Sequence, residues 1–134
     1  MSASGDHIRS PAPSAALTAA GVDHVRLSYH YLDSRDVEGY LSLLSERVWI
    51  RYPDADPVHG HAQAAEFHGT QSRLSGTHTL YQVFGQASHI VAIGRLIRTS
   101  SARGTTGAPA DVDFADVFVL DSDGLILGQR RFLH

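Results

Sequence analysis

Cysteine is absent from the 134 residues. That excludes disulfide frameworks, thiolate metal sites and cysteine nucleophiles. Lysine is absent too, so all 11 basic residues are arginines. Against 14 acidic residues they leave a net charge of -3. Such a balance argues against a broad basic surface for nucleic acid. No apolar run approaches the roughly 20 residues that span a bilayer, so no membrane partner is expected. The stretch Met1–Ser14 lacks the apolar centre of a signal peptide. It reads as a flexible tail, with Pro11 and Pro13 discouraging an early helix. Without leader or anchor the default location is the cytoplasm. What remains, residues 15–134, is 120 residues of ordinary composition, enough for one domain with one core.

The pattern from Ala15 to Leu32 is helical, with Leu17, Gly21, Val25, Ser28 and Leu32 near one face. Asp33 is placed to cap a second helix, in which Val37, Tyr40, Leu41 and Leu44 recur at helical spacing. The period then changes. Val48–Tyr52 alternates with β-branched and aromatic residues and reads as a strand that Pro53 stops. A loop follows to Gly60, then a short helix over Ala62–Phe67. Strands are expected over 77–84 and 88–99. A Ser-, Gly- and Thr-rich loop over 100–110 precedes strands over 112–120 and 125–133, joined by an Asp-Ser-Asp-Gly turn. Helices first and a strand meander afterwards mean α+β. A curved antiparallel sheet wrapped around a helical hairpin leaves an apolar pocket at its open end.

This order, with Leu32-Asp33-Ser34-Arg35-Asp36, Val48-Trp49-Ile50-Arg51-Tyr52, Pro57-Val58-His59-Gly60-His61, Gly76-Thr77-His78-Thr79-Leu80 and Gly128-Gln129-Arg130-Arg131, resembles the NTF2-like superfamily of cone-shaped folds. Within it the chain is most similar to the SnoaL-like branch of polyketide cyclases and dehydratases, relatives of ketosteroid isomerase. The resemblance implies acid/base chemistry without a cofactor, on a small hydrophobic or aromatic ligand. It also resembles the scytalone dehydratase type, whose pocket-lining Asp, Tyr and His match Asp33, Tyr52 and His78. Two family positions differ: the Tyr before the helix-turn Asp falls at Leu32, and a second His falls near Thr99 or Ser100.

The residues carry their own chemistry. A neutral imidazole can take a proton from carbon next to a carbonyl near neutral pH. Alternation groups His78 with Leu80, Gln82 and Phe84; if that face is concave, His78 points into the pocket, and otherwise it is a surface or core histidine. Asp33 is either a helix cap or the group that orients His78. Tyr52, on a face with Val48 and Ile50, can donate to an enolate oxygen or simply fill the core. Tyr29 is a stand-in for the missing family Tyr. Asp116 alternates with Phe114 and Phe118 and can pair with Arg130 or Arg131 across strands. Arg95, among Val91, Ile93 and Ile97, can meet an acidic ligand or a partner carboxylate. Trp49 is a candidate for ligand contact, and with Tyr81 or Val83 for an exposed dimer face. His59, His61 and Glu66 have the spacing of a metal motif, but the helical pattern from Ala62 and the missing glycines point away from a metal.

The expected activity is cyclisation, dehydration or isomerisation of a polyketide-like aromatic or polycyclic ketone in antibiotic-type biosynthesis. His78 would act as base, Tyr52 would hold the enolate and Asp33 would tune His78. Tyr29, Trp49, Arg95 and Asp116 would contact the substrate. That scheme requires His78 and Tyr52 to open into one shared cavity. A non-catalytic ligand-binding auxiliary protein and a homodimerising module are the alternatives.

Overall fold

The computed structural model describes residues 13–53, 55–73, 76–98 and 111–134. Helix α1 spans Pro13–Asp33 and α2 spans Val37–Ser42. Strands β1 (Leu44–Arg51) and β2 (Val58–His59) precede α3 (Gly60–Arg73). Then come β3 (Gly76–Gln86), β4 (His89–Arg98), β5 (Val112–Leu120) and β6 (Ile126–Leu133). Residues 1–12, Thr99, Ser100 and the 100–110 loop lie outside the described residues. Among those described, no helix is long and apolar enough to cross a membrane.

Helix α1 starts at Pro13 instead of after it, because proline is well suited to a first helical turn, where its missing N–H would have no acceptor. Gly21, Val25, Ser28 and Leu32 form its buried stripe. Gly21 is needed for close approach: a Cβ there would lie 2.3 Å from Leu120 Cδ1. The helix ends where Arg35 takes a left-handed φ of 61° and the Asp36 N–H donates to the Tyr31 carbonyl at 2.9 Å. The cap of α2 is Asp36 and not Asp33: its Oδ1 accepts the Gly39 N–H at 2.8 Å. The expected cap was three residues early, and this leaves the Asp33 carboxylate available for another partner.

One six-stranded sheet has the order β2-β1-β6-β5-β4-β3, antiparallel except where β1 runs parallel to β6. Its concave face packs on α1, with Val25, Tyr40, Val48, Ile50, Ile90, Phe118 and Ile126 almost fully buried. Truncating a side chain such as Phe118 to alanine would cost about 3–5 kcal/mol. A bulge at Tyr81 breaks the alternation of β3, since Leu80 pairs with Gly94 and Gln82 already with Ile93. His78 and Leu80 therefore share the inner face with Val83, while Gln82 and Phe84 turn outward. Strict alternation grouped Gln82 and Phe84 with His78 and left Val83 exposed; the extra residue reverses all three.

Candidate functional site

Asp33 closes α1 as β3 passes beside it. Its Oδ1 lies 2.6 Å from His78 Nδ1, and its Oδ2 accepts the His78 backbone N–H at 2.9 Å. One carboxylate thus fixes both the strand and the ring. A carboxylate opposite Nδ1 selects the tautomer with hydrogen on Nδ1 and a lone pair on Nε2. The His78 side chain is only 4% exposed, and Nε2 is buried with no hydrogen-bond partner among the described residues. The ring sits 5.0 Å from Tyr29 and 5.6 Å from Phe114, centroid to centroid.

Behind Tyr29 lies a second carboxylate. Asp116 is fully buried and receives the Tyr29 hydroxyl at 2.5 Å, Gln129 Nε2 at 3.1 Å, and two Arg131 nitrogens at 2.8 Å each. Pairing of Asp116 with Arg131 on β6 follows from their registry; Arg130, next along, faces outward over Phe132. The Arg131 guanidinium is sandwiched between Tyr52 and Phe114, 4.2 and 4.1 Å from their centroids. Burial works against its charge, but Tyr52 and the Asp116 carboxylate outweigh burial and hold it protonated beyond the ordinary arginine range. Burial, reinforced by the Asp116 charge, pushes the Tyr29 hydroxyl well above the usual phenol value. Tyr40 is raised for the same reason, burial first, and its hydroxyl has no partner among the described residues.

The interior is therefore filled by an aromatic and ionic cluster where an open apolar pocket was expected. Among the described residues a cavity of about 40 Å³ remains at the open end, lined by Tyr52, Gln71, Leu96, Arg98, Val112, Arg131 and Leu133. A groove of about 370 Å³ shares Tyr52, Arg131 and Leu133 with it. Tyr52 lines that cavity and His78 does not. The two are linked through side chains: His78 packs on Tyr29, Tyr29 and Gln129 both bond Asp116, and Gln129 Nε2 reaches the Tyr52 hydroxyl at 3.3 Å.

Asp33, His78, Tyr29, Tyr52 and Asp116 are thus brought together. Trp49 and Arg95 are not. Trp49 lies on the outer face, between buried Val48 and Ile50, with its indole over Gly128. Arg95 is exposed and binds Asp113 through Nε at 2.7 Å, which holds the Asp113 carboxyl below its usual value. His61 Nε2 meets the Leu44 carbonyl at 2.9 Å, and His59 and Glu66 are exposed. No cluster of three metal-ligating side chains occurs among the described residues. Gln129, Tyr40 and Arg98 were missed as members of the site. Parity offered a signal for two of them: Gln129 alternates with Arg131, and Arg98 with Leu96.

An α-helical hairpin against an open six-stranded sheet, with polar side chains converging on its concave face, defines an NTF2-like α+β protein. A sequence profile of the SnoaL-like domain matches residues 25–128. The chain belongs to that SnoaL-like family. Among solved structures, a candidate SnoaL-like polyketide cyclase from Jannaschia sp. CCS1 superposes with a TM-score of 0.73 at 17% identity, covering 87% of each chain. An NTF2-like protein of unknown function from Cytophaga hutchinsonii gives 0.66 at 12% identity, over 85% of this chain and 89% of the other. TerC, co-crystallised with polyporic acid, gives 0.70 at 19% identity, over 86% and 92%. At these identities the likeness shows the fold alone. A comparison with functionally curated proteins gives no significant match.

Proposed function

We propose that the chain is a cytoplasmic, cofactor-independent acid/base enzyme of polyketide-type, antibiotic-related biosynthesis. It removes a proton next to a carbonyl of an aromatic or polycyclic intermediate, leading to cyclisation, dehydration or isomerisation. The observation that carries this is the Asp33–His78 dyad: Nδ1 is fixed by a carboxylate, and Nε2 is buried and unpartnered among the described residues. A desolvated imidazole lone pair beside aromatic walls is suited to accept a proton from carbon. Tyr52 lines a cavity that His78 does not reach among the described residues, so the enolate-holding role expected for it is not part of this reading. TerC supports a ligand of aromatic, oxygenated type by analogy.

The test is hydrogen–deuterium exchange at the α-carbon of 1-tetralone, followed by NMR. Wild type should accelerate exchange over buffer, and His78→Ala should lower the enzymatic rate by about two to four decades with the fold intact by circular dichroism. Equal rates in the two proteins would remove His78 from the mechanism. A ketone that binds without accelerated exchange would decide for the auxiliary-protein reading.

A homodimer is the second reading, favoured by one feature of the outer sheet face. There Tyr81 is 61% exposed and Phe132 48%, around an apolar groove of about 330 Å³ that also takes in Ile93 and Leu133. Sedimentation velocity showing only monomer at high micromolar concentration would end that reading.

A further inference from the structure

Arg98 is the last residue of β4 and, two places beyond inward-facing Leu96, continues the concave face to its mouth. It lines the 40 Å³ cavity together with Tyr52 and Arg131. Its Nε is buried and has no hydrogen-bond partner among the described residues. Asp111, just before β5, uses Oδ1 to accept the Arg98 backbone N–H at 2.8 Å. Arg131, on the opposite wall, is already committed to Asp116 in a bidentate pair. A buried guanidinium N–H without an acceptor costs stability, and an anionic oxygen is the partner that recovers most.

Building on the functional reading above, we propose that Arg98 anchors a carboxylate of the substrate, so that the substrate is an arene or polycyclic carboxylic acid. A cavity of 40 Å³ is sized for a carboxylate and not for a ring. The adjoining groove of about 370 Å³, walled by Pro53 and Phe132 among others, takes the ring system. A phosphate fits less well: the single Arg98 guanidinium offers too little positive charge for a dianion, with the Asp116 carboxylate close behind Arg131. On β3, His78 pairs with Leu96 and Gly76 with Arg98, so the base sits one inward position deeper than the anchor.

The experiment is calorimetric titration with sodium 2-naphthoate and with neutral 2-acetylnaphthalene of matching shape. Wild type should prefer the acid by roughly tenfold or more, and Arg98→Gln should abolish that preference while binding the ketone as wild type does. Arg98→Lys should restore part of it, since charge returns without the planar fork. His78→Ala should bind naphthoate like wild type, which separates the anchor from the base. Equal affinity of wild type for acid and ketone, no detectable binding of the acid at millimolar concentration, or full acid preference in Arg98→Gln would each overturn the proposal. Naphthoate selectivity in a protein that never accelerates exchange would leave the anchor standing and remove the catalytic reading. Exchange without selectivity would do the reverse.

Discussion

Arg131→Met tests how the centre of this fold is held together. The substitution preserves much of the buried stem but removes the charge that faces Asp116. Two hydrogen bonds of 2.8 Å are lost, together with the stacking on Tyr52 and Phe114. Asp116 keeps Tyr29 and Gln129 as donors, yet remains a fully buried carboxylate without a counter-charge. Breaking a buried pair on one side costs about 3–5 kcal/mol, whereas replacing both charges is often close to neutral. A domain of this size has about 5–15 kcal/mol in total, so the single variant should lose a large part of it. With a urea dependence of about 1.5 kcal/mol per molar, the midpoint should fall by roughly 2–3 M. The double variant Asp116→Asn/Arg131→Met keeps an acceptor for Tyr29 and should recover most of that loss, so the cycle should show strong coupling. Equilibrium urea unfolding of all four proteins gives the answer. A single-variant cost below about 1 kcal/mol, or a double variant no more stable than Arg131→Met, would refute the argument that charge burial governs this centre.

Asp33→Asn should lower α-proton exchange by roughly 10²-fold or more while leaving ligand affinity unchanged, because an amide can present its N–H to Nδ1 and so favour the wrong tautomer; unchanged exchange would reduce Asp33 to a structural contact. Tyr40 and Tyr29 give a pH dependence whose sign follows from their raised values in the folded state. Both keep their protons in the fold when an unfolded tyrosine loses its own near pH 10, so their stabilisation is complete below about pH 10 and is lost as pH climbs above it. Each contributes a slope of about -1.4 kcal/mol per pH unit there. Tyr40→Phe should remove one such share at little cost at pH 7, since its hydroxyl bonds nothing among the described residues; an unaltered alkaline slope in urea titrations would contradict the assignment.

The architecture was legible because it rests on periodicities. The stripe Gly21, Val25, Ser28 and Leu32 is three and four residues apart, and the buried strand faces of β4 and β5 alternate strictly. The irregular points were not legible. A bulge at Tyr81 inserts one residue without a glycine or proline to mark it, and it changes which of Gln82, Val83 and Phe84 face inward. The α1–α2 turn uses Arg35 at positive φ, so nothing in the sequence moved the cap from Asp33 to Asp36. Arg95 looked anomalous on an apolar face, but that face is the outer one. Arg98, three residues on, has the opposite parity and reaches the mouth. Which side of a strand is concave is decided by strands far apart in sequence, and no local pattern contains it.

The buried Asp116 and the half-buried Asp33 engage different partners. Asp116 accepts four bonds: Oδ2 takes Tyr29, Gln129 and one Arg131 nitrogen, and Oδ1 takes the other Arg131 nitrogen. Both of its oxygens are engaged by donors of the protein, and Arg131 bridges the two. Tyr29, donating to it and held protonated, is likewise committed. Asp33 also uses both oxygens, but on a group that itself has a second nitrogen to offer. In the proposed reaction the proton is assigned to His78, whose Nε2 is buried and unbonded among the described residues. The Asp116 network instead holds Tyr29 against the His78 ring and, through Gln129, Tyr52 at the cavity.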